Sequence, residues 1–275
     1  MSRVRRSQAI PFAEPEGHRP LELDLYRPDG DGPWPLVVFL HGGGWRRGSR
    51  RSFGPAFGDR LFGRVAQLGY VVASLDYRLT GEAVFPAQLD DVHAGLDHLA
   101  RHGAEYGADG RAVLWGESAG GHLAALAALT ALTADTPRAS ALHVVGVIDW
   151  YGPADLRTMG EQARPDAVAR ADAPDSREAL LLGGPVTADE KLAAQASPVS
   201  HAHADAPPFL LVHGTADRFV PVQQSEQLHA ALRAAGVDAR LELVDGADHM
   251  WAGVDPERVL TASLDFLAEI TRPRP

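Results

Sequence analysis

The 275-residue chain contains no cysteine, which excludes disulfide staples, a thiol nucleophile and thiolate metal sites. Lysine is nearly absent too: Lys191 is the only one, so arginine carries almost all the positive charge. Basic residues number 26 against 36 acidic ones, a formal charge of −10. A chain so short of positive charge lacks the footprint that nucleic-acid phosphates require, and no nucleic-acid partner is expected. Long hydrophobic runs are missing as well. The longest alanine- and leucine-rich stretch, 123–134, falls far short of the about 20 residues a membrane span needs. Arg3, Arg5 and Arg6 lead into Gln8-Ala9-Ile10-Pro11 where a secretory signal would place an apolar core. The expected protein therefore has no membrane span and resides in the cytoplasm.

What is present suits a folded enzyme-sized unit. Apolar residues make up 45% and charged residues 23%, and a chain of this length can bury a core without staples. Short β-branched runs alternate with segments of helical period, which predicts a mostly parallel sheet flanked by helices, an α/β fold. Strands are expected at 21–26, 36–40, 70–75, 112–115, 144–148, 209–212 and 241–244. Helices are expected at 57–68, 86–104, 122–133, 223–235 and 256–270, two of them opened by proline at the first turn. Residues 1–275 read as a single domain. Within it, 153–207 is rich in Ala, Asp, Arg and Pro and longer than a connection requires. It is expected to be an insertion over one end of the sheet, either a surface excursion or a partial lid.

The chemistry-bearing motifs lie at the ends of the expected strands. Gly116-Glu117-Ser118-Ala119-Gly120 sits between strand 112–115 and the following helix, the context of a nucleophile elbow, in which a sharp turn holds a serine hydroxyl above the sheet. His41-Gly42-Gly43-Gly44-Trp45 follows strand 36–40. A glycine loop there can present backbone amides to a developing oxyanion. The amides of Gly43, Gly44 and Ala119 are the expected donors. A general base should follow the last strand, and position selects His249 among the twelve histidines. His201 and His203 have no further ligand nearby and read as loop histidines rather than a metal site. The orienting acid should follow strand 209–212, which points to Asp217, with Asp245 as an alternative. Trp45, Trp150, Tyr151 and Trp251 each follow a strand or a site residue and are expected to line a substrate pocket. Asp76, Tyr77 and Arg78 are expected to brace the loops.

With these residues placed, the chain resembles the HGGG-containing esterases related to hormone-sensitive lipase, within the α/β-hydrolase superfamily. It is most similar to the branch of bifunctional feruloyl and acetyl-xylan esterases. The likeness is carried by HGGGWRRGS at 41–49, GYVVASLDYRL at 69–79, FPAQLDDV at 85–92, WGESAGGHLAAL at 115–126, DWYGPADL at 149–156, ASP at 196–198 and PPFLLVHGTADRFVP at 207–221. It implies Ser118, Asp217 and His249 as a catalytic triad, and an acyl-enzyme route that uses no cofactor and no metal. The substrate expected is a small-molecule ester with a short acyl chain. Few residues precede the first strands to form the helical cap common among such enzymes, so the pocket is expected to be covered, if at all, by 153–207. The same triad would serve an arylformamidase-type amide hydrolase or an acyltransferase, and a non-catalytic ligand receptor shares the fold. No signal for oligomeric state is visible.

Overall fold

The structure is a computed structural model that describes residues 3–58, 60–130 and 142–272. Among the described residues eight strands form one sheet: β1 Val4–Ala13, β2 Leu21–Pro28, β3 Trp34–Leu40, β4 Val71–Leu75, β5 Ala108–Glu117, β6 His143–Trp150, β7 Phe209–Gly214 and β8 Ala239–Val244. Their spatial order is β1-β2-β4-β3-β5-β6-β7-β8. β2 runs antiparallel to both of its neighbours, and every pairing from β4 to β8 is parallel. The helices are α1 Gly54–Phe57, α2 Arg60–Gln67, α3 Ala87–His102, α4 Ala119–Thr130, α5 Met159–Gln162, α6 Arg177–Leu182, α7 Glu190–Gln195, α8 Gln223–Ala234 and α9 Pro256–Ile270. This is the α/β-hydrolase architecture, with all its site loops at the carboxyl ends of the parallel strands.

β3 shows why the central strands read as unbroken apolar runs. Leu36, Val38 and Leu40 enter one core cluster, while Val37 and Phe39 enter the other. Successive side chains point to opposite faces, so a strand covered on both sides has no polar position to spare. α4 follows the same logic. Every residue from Ala119 to Leu129 is buried, because the helix lies on β5 and β6 and is closed over by α3 and the turn at Pro198–His201. A helix apolar all round is one surrounded on all sides. Of the helix expected at 122–133, residues 131–133 lie outside the described residues.

Two expectations need correction. β1 was not anticipated, because Arg5, Arg6, Ser7 and Gln8 are exposed; it is an edge strand whose sequence carries no apolar alternation. The helix expected at 57–68 is α2, which begins only at Arg60, and Gly58 at a φ of +57° ends a separate short α1 before it. The 153–207 segment contains α5, α6, α7 and two short 3-10 turns. It is docked to the body at several points: Phe85 N–H donates to the Leu181 carbonyl over 2.8 Å, and Ala154 N–H to Gln224 Oε1 over 2.8 Å. Among the described residues no helix is long and apolar enough to cross a membrane.

Candidate active site

β5 ends at Glu117 and α4 begins at Ala119, so Ser118 alone makes the turn between them. Its φ is +52°, a conformation that a residue bearing a Cβ adopts only when its surroundings impose it. Those surroundings are visible. Ser118 N–H donates to the Trp150 carbonyl over 2.8 Å, and His122 N–H donates to the Ser118 carbonyl over 3.0 Å. The turn also needs backbone packed on backbone: a Cβ at Gly116 would collide with the Gly120 carbonyl, and one at Gly120 with the Leu40 carbonyl. The small residues are thus a steric requirement of the elbow.

Asp217 lies in the loop after β7, and His249 in the loop after β8. The structure brings both to Ser118. His249 Nε2 is 3.1 Å from Ser118 Oγ, and His249 Nδ1 is 2.7 Å from Asp217 Oδ2. Asp217 Oδ1 accepts from the amides of Phe219 and Val220 at 2.7 and 2.9 Å, which fixes the carboxylate plane. His213 Nε2 approaches Oδ2 at 3.4 Å. Burial raises the Asp217 pKa, but the His249 charge and the His213 and His249 hydrogen bonds outweigh it, leaving the carboxyl well below its usual range. An ionised Asp217 requires a proton on His249 Nδ1, which leaves Nε2 free to accept from the serine. The alternative acid, Asp245, accepts from Thr215 Oγ1 at 3.2 Å in an exposed position. Asp248 pairs with Arg218 and caps the turn that carries His249.

The glycine loop leaves β3 with Gly43 at φ +118°, Gly44 at +60° and Trp45 at +54°. Among the described residues, the amides of Gly43, Gly44 and Ala119 donate to no protein acceptor. The loop is braced from behind. The His41 ring stacks on Tyr77 at 4.2 Å, and Tyr77 OH donates to the His41 carbonyl over 2.8 Å. Buried Arg50 is held by Glu22, Asp24 and Asp76, and Arg78 by Asp91.

Of the four aromatics expected at a pocket, Trp45, Trp150 and Tyr151 are 1% exposed and Trp251 is 3%. The packing does not support a pocket role for Trp45 and Trp150. Trp45 Nε1 donates to His122 Nδ1, and Trp150 Nε1 donates to Ser263 Oγ while its ring packs on Trp115 and Phe53. Buried indoles need an N–H partner, and these two find it inside the core. Tyr151, with Trp251 behind it, flanks the His249 ring at 4.5 Å.

Three residues were not singled out from the sequence. Glu117 is buried beside Ser118; Oε1 accepts from the Gly54 amide at 2.6 Å and the Gly42 amide at 3.4 Å, and Oε2 from Tyr151 OH at 3.1 Å. It ties the glycine loop, α1 and the His249 wall together, and burial pushes its pKa up against those bonds. An acidic residue ending a buried strand was the available signal. His122 Nε2 donates to the Ala196 carbonyl over 2.7 Å, docking the 153–207 segment on α4, and burial lowers its pKa to about 4. Phe219 also flanks the His249 ring, at 5.2 Å. Among the described residues, no group of three or more His, Cys, Asp or Glu side chains is placed to hold a metal ion.

The chain is 32% identical over 262 residues to the probable carboxylic ester hydrolase LipM of Mycobacterium tuberculosis, covering 90% of this chain and 58% of that protein. It spans less than two thirds of the length of that relative and of the mycobacterial esterases LipC and LipQ. A truncated carbohydrate esterase from gut microbiota superposes with a TM-score of 0.80 at 25% identity, covering 98% of this chain and 97% of the other. The butyrate-bound esterase Est2 of Thermogutta terrifontis superposes at 0.73 and 26% identity, covering 100% and 96%. Residues 23–232, from within β2 to within α8, match the BD-FAE family, and the chain belongs to that family.

Proposed function

We propose that the chain is a serine carboxylic-ester hydrolase acting through an acyl-enzyme on esters of small or short-chain acids. The observation that carries this reading is the unbroken relay Asp217–His249–Ser118 at 2.7 and 3.1 Å, mounted on a strained elbow beside unengaged amides. The names of the relatives and the butyrate held by one structural neighbour support it. The alternatives on the same triad have no such support.

Ser118 Oγ attacks the ester carbonyl as its proton passes to His249 Nε2, and Asp217 holds the imidazolium that forms. The carbonyl oxygen becomes an oxyanion, received by the amides of Gly43, Gly44 and Ala119, which need no reorganisation at that moment. His249 then gives the proton to the departing alkoxide. Water repeats the sequence on the acyl-enzyme, releasing the acid and restoring Ser118. The 153–207 segment acts as a fixed wall rather than a mobile lid, supported by its ties through Ala196 and Leu181.

Steady-state hydrolysis of p-nitrophenyl acetate and butyrate tests the reading. Wild-type protein turns both over, and Ser118→Ala lowers kcat by at least about 10³-fold while keeping the fold. Full activity in that variant refutes the assignment.

A further inference from the structure

Arginine pairing in this chain is uneven. Arg50, Arg78, Arg157 and Arg218 each hold a carboxylate, as expected where acids outnumber bases. Around the oxyanion loop the pattern breaks: among the described residues, Arg46, Arg47 and Arg177 form no ion pair, although each is beside the loop or part of it.

Arg177 is the unusual member, because it is half-buried rather than solvated. It begins α6, in the 153–207 segment. Its aliphatic stem packs so closely on Gly44 that a Cβ there would collide with Arg177 Cδ. Its guanidinium lies over the face of Phe219, 5.0 Å from the ring centroid, and Phe219 in turn flanks His249 at 5.2 Å. The side chain thus reaches from the oxyanion glycines to the wall of the general base. The charges facing it are Glu178 and Asp217, which attract it, and Arg46 and Arg47, which repel it. Asp217 is engaged by His249, and Glu178 is buried among its own hydrogen bonds; neither closes a salt bridge on Arg177. A partly desolvated guanidinium without an anion is costly, and its planar fork fits a carboxylate with two parallel hydrogen bonds.

Building on the esterase reading, we propose that Arg177, assisted by Arg46 and Arg47, forms an anion subsite beside Ser118. The substrates are then esters carrying a second, negatively charged group, of which monoesters of dicarboxylic acids are the simplest. The guanidinium holds the free carboxylate while Ser118 attacks the ester carbonyl at the other end. Hydrolysis consumes one water and releases the alcohol and the dicarboxylate.

The test compares kcat/KM for p-nitrophenyl hemiglutarate with that for neutral p-nitrophenyl valerate. Wild-type protein is expected to favour the hemiester by about tenfold or more at low salt, less so as salt rises. In Arg177→Met that ratio falls by about tenfold or more, and Arg177→Lys recovers part of it. A purely structural role for Arg177 would lower both esters together and leave the ratio unmoved. Should Arg177→Met not fold, inhibition of valerate hydrolysis by free glutarate in wild-type protein decides the matter. Competitive inhibition relieved by salt supports the subsite, and no inhibition overturns it. A wild-type enzyme that hydrolyses valerate without preferring the hemiester overturns the subsite and leaves the hydrolase reading intact. Inactivity on both esters, with Ser118 unlabelled by an organophosphonate, overturns both.

Discussion

Replacing Asp217 by asparagine isolates what the carboxylate contributes to the relay. The Oδ1 position accepts from two backbone amides, of Phe219 and Val220, so the asparagine carbonyl must take that place. Its NH2 then faces His249 Nδ1, where Oδ2 stood 2.7 Å away. His213 offers no relief, because its Nε2 already donates to the Val220 carbonyl over 3.0 Å while Nδ1 accepts from Ser225 Oγ at 2.7 Å. The imidazole must present its lone pair at Nδ1 and move its proton to Nε2, pointing a donor at Ser118 Oγ. The general base is lost although every heavy atom stays in place. The expected fall in kcat is about 10³- to 10⁴-fold, or about 4–5.5 kcal/mol of transition-state stabilisation. Stability should change little, because the backbone turn keeps its acceptor; a loss of about 1 kcal/mol would lower Tm by about 2–4 °C. Esterase kinetics beside thermal unfolding separate the two effects, with Asp245→Asn as the control expected to behave like wild type. A loss under about tenfold in the Asp217 variant, or a large loss in the Asp245 variant, would refute this account of the relay.

Three further outcomes can be measured. Gly120→Ala places a methyl against the Leu40 carbonyl and 2.6 Å from the His41 oxygen; backbone cannot yield there, so a loss of at least about 3 kcal/mol is expected in denaturant unfolding, or no soluble protein. Glu117→Gln keeps one amide acceptor but removes the charge that ties Gly42, Gly54 and Tyr151; kcat should drop about tenfold, consistent with the about 1.5–3 kcal/mol of hydrogen bonds to a charged group, and an unchanged kcat would show that the loop holds without it. Burial raises the Asp149 pKa from 3.8 to about 7, and its Oδ2 has no hydrogen-bond partner. The folded state therefore retains a proton that the unfolded state has lost, and stability falls as pH rises from about 4 through about 7. Asp149→Asn should raise Tm relative to wild type at pH about 8 and not at pH about 4; the opposite pH order would show that Asp149 is ionised in the fold.

Much of this arrangement is legible in the sequence because it depends on chain order. A strand buried on both faces must be apolar at every position, so Leu36–Leu40 and Phe209–Val212 announce themselves, and the serine, acid and base follow strands in a fixed succession. The three residues of the relay could be anticipated because each follows a strand that composition exposes. Other features depend on which distant groups meet. Glu117 reads simply as the variable letter of GxSxG until the Gly54 and Tyr151 donors converge on it. Trp45 and Trp150 follow strands as pocket residues would, but the hydrogen-bond needs of their indoles turned them into core. β1 carries its strand character in backbone pairing to β2, since its side chains from Arg5 to Ala9 face water and leave no periodic trace. Arg177 sits in a segment of low pattern, and only the fold places it against Gly44.

His249 follows β8, which among the described residues has β7 on one side and no strand on the other, whereas Ser118 leaves β5 near the middle of the sheet. The two are 131 residues apart in sequence and meet through one hydrogen bond. Opening an edge costs less than dismantling a centre, so the elbow can remain formed in a molecule whose His249 has already come away. Under the proposed hydrolase reading, activity then works as a sensor of this border of the sheet, and it should fade in mild denaturant before the tryptophans buried around β5 and β6 report any unfolding.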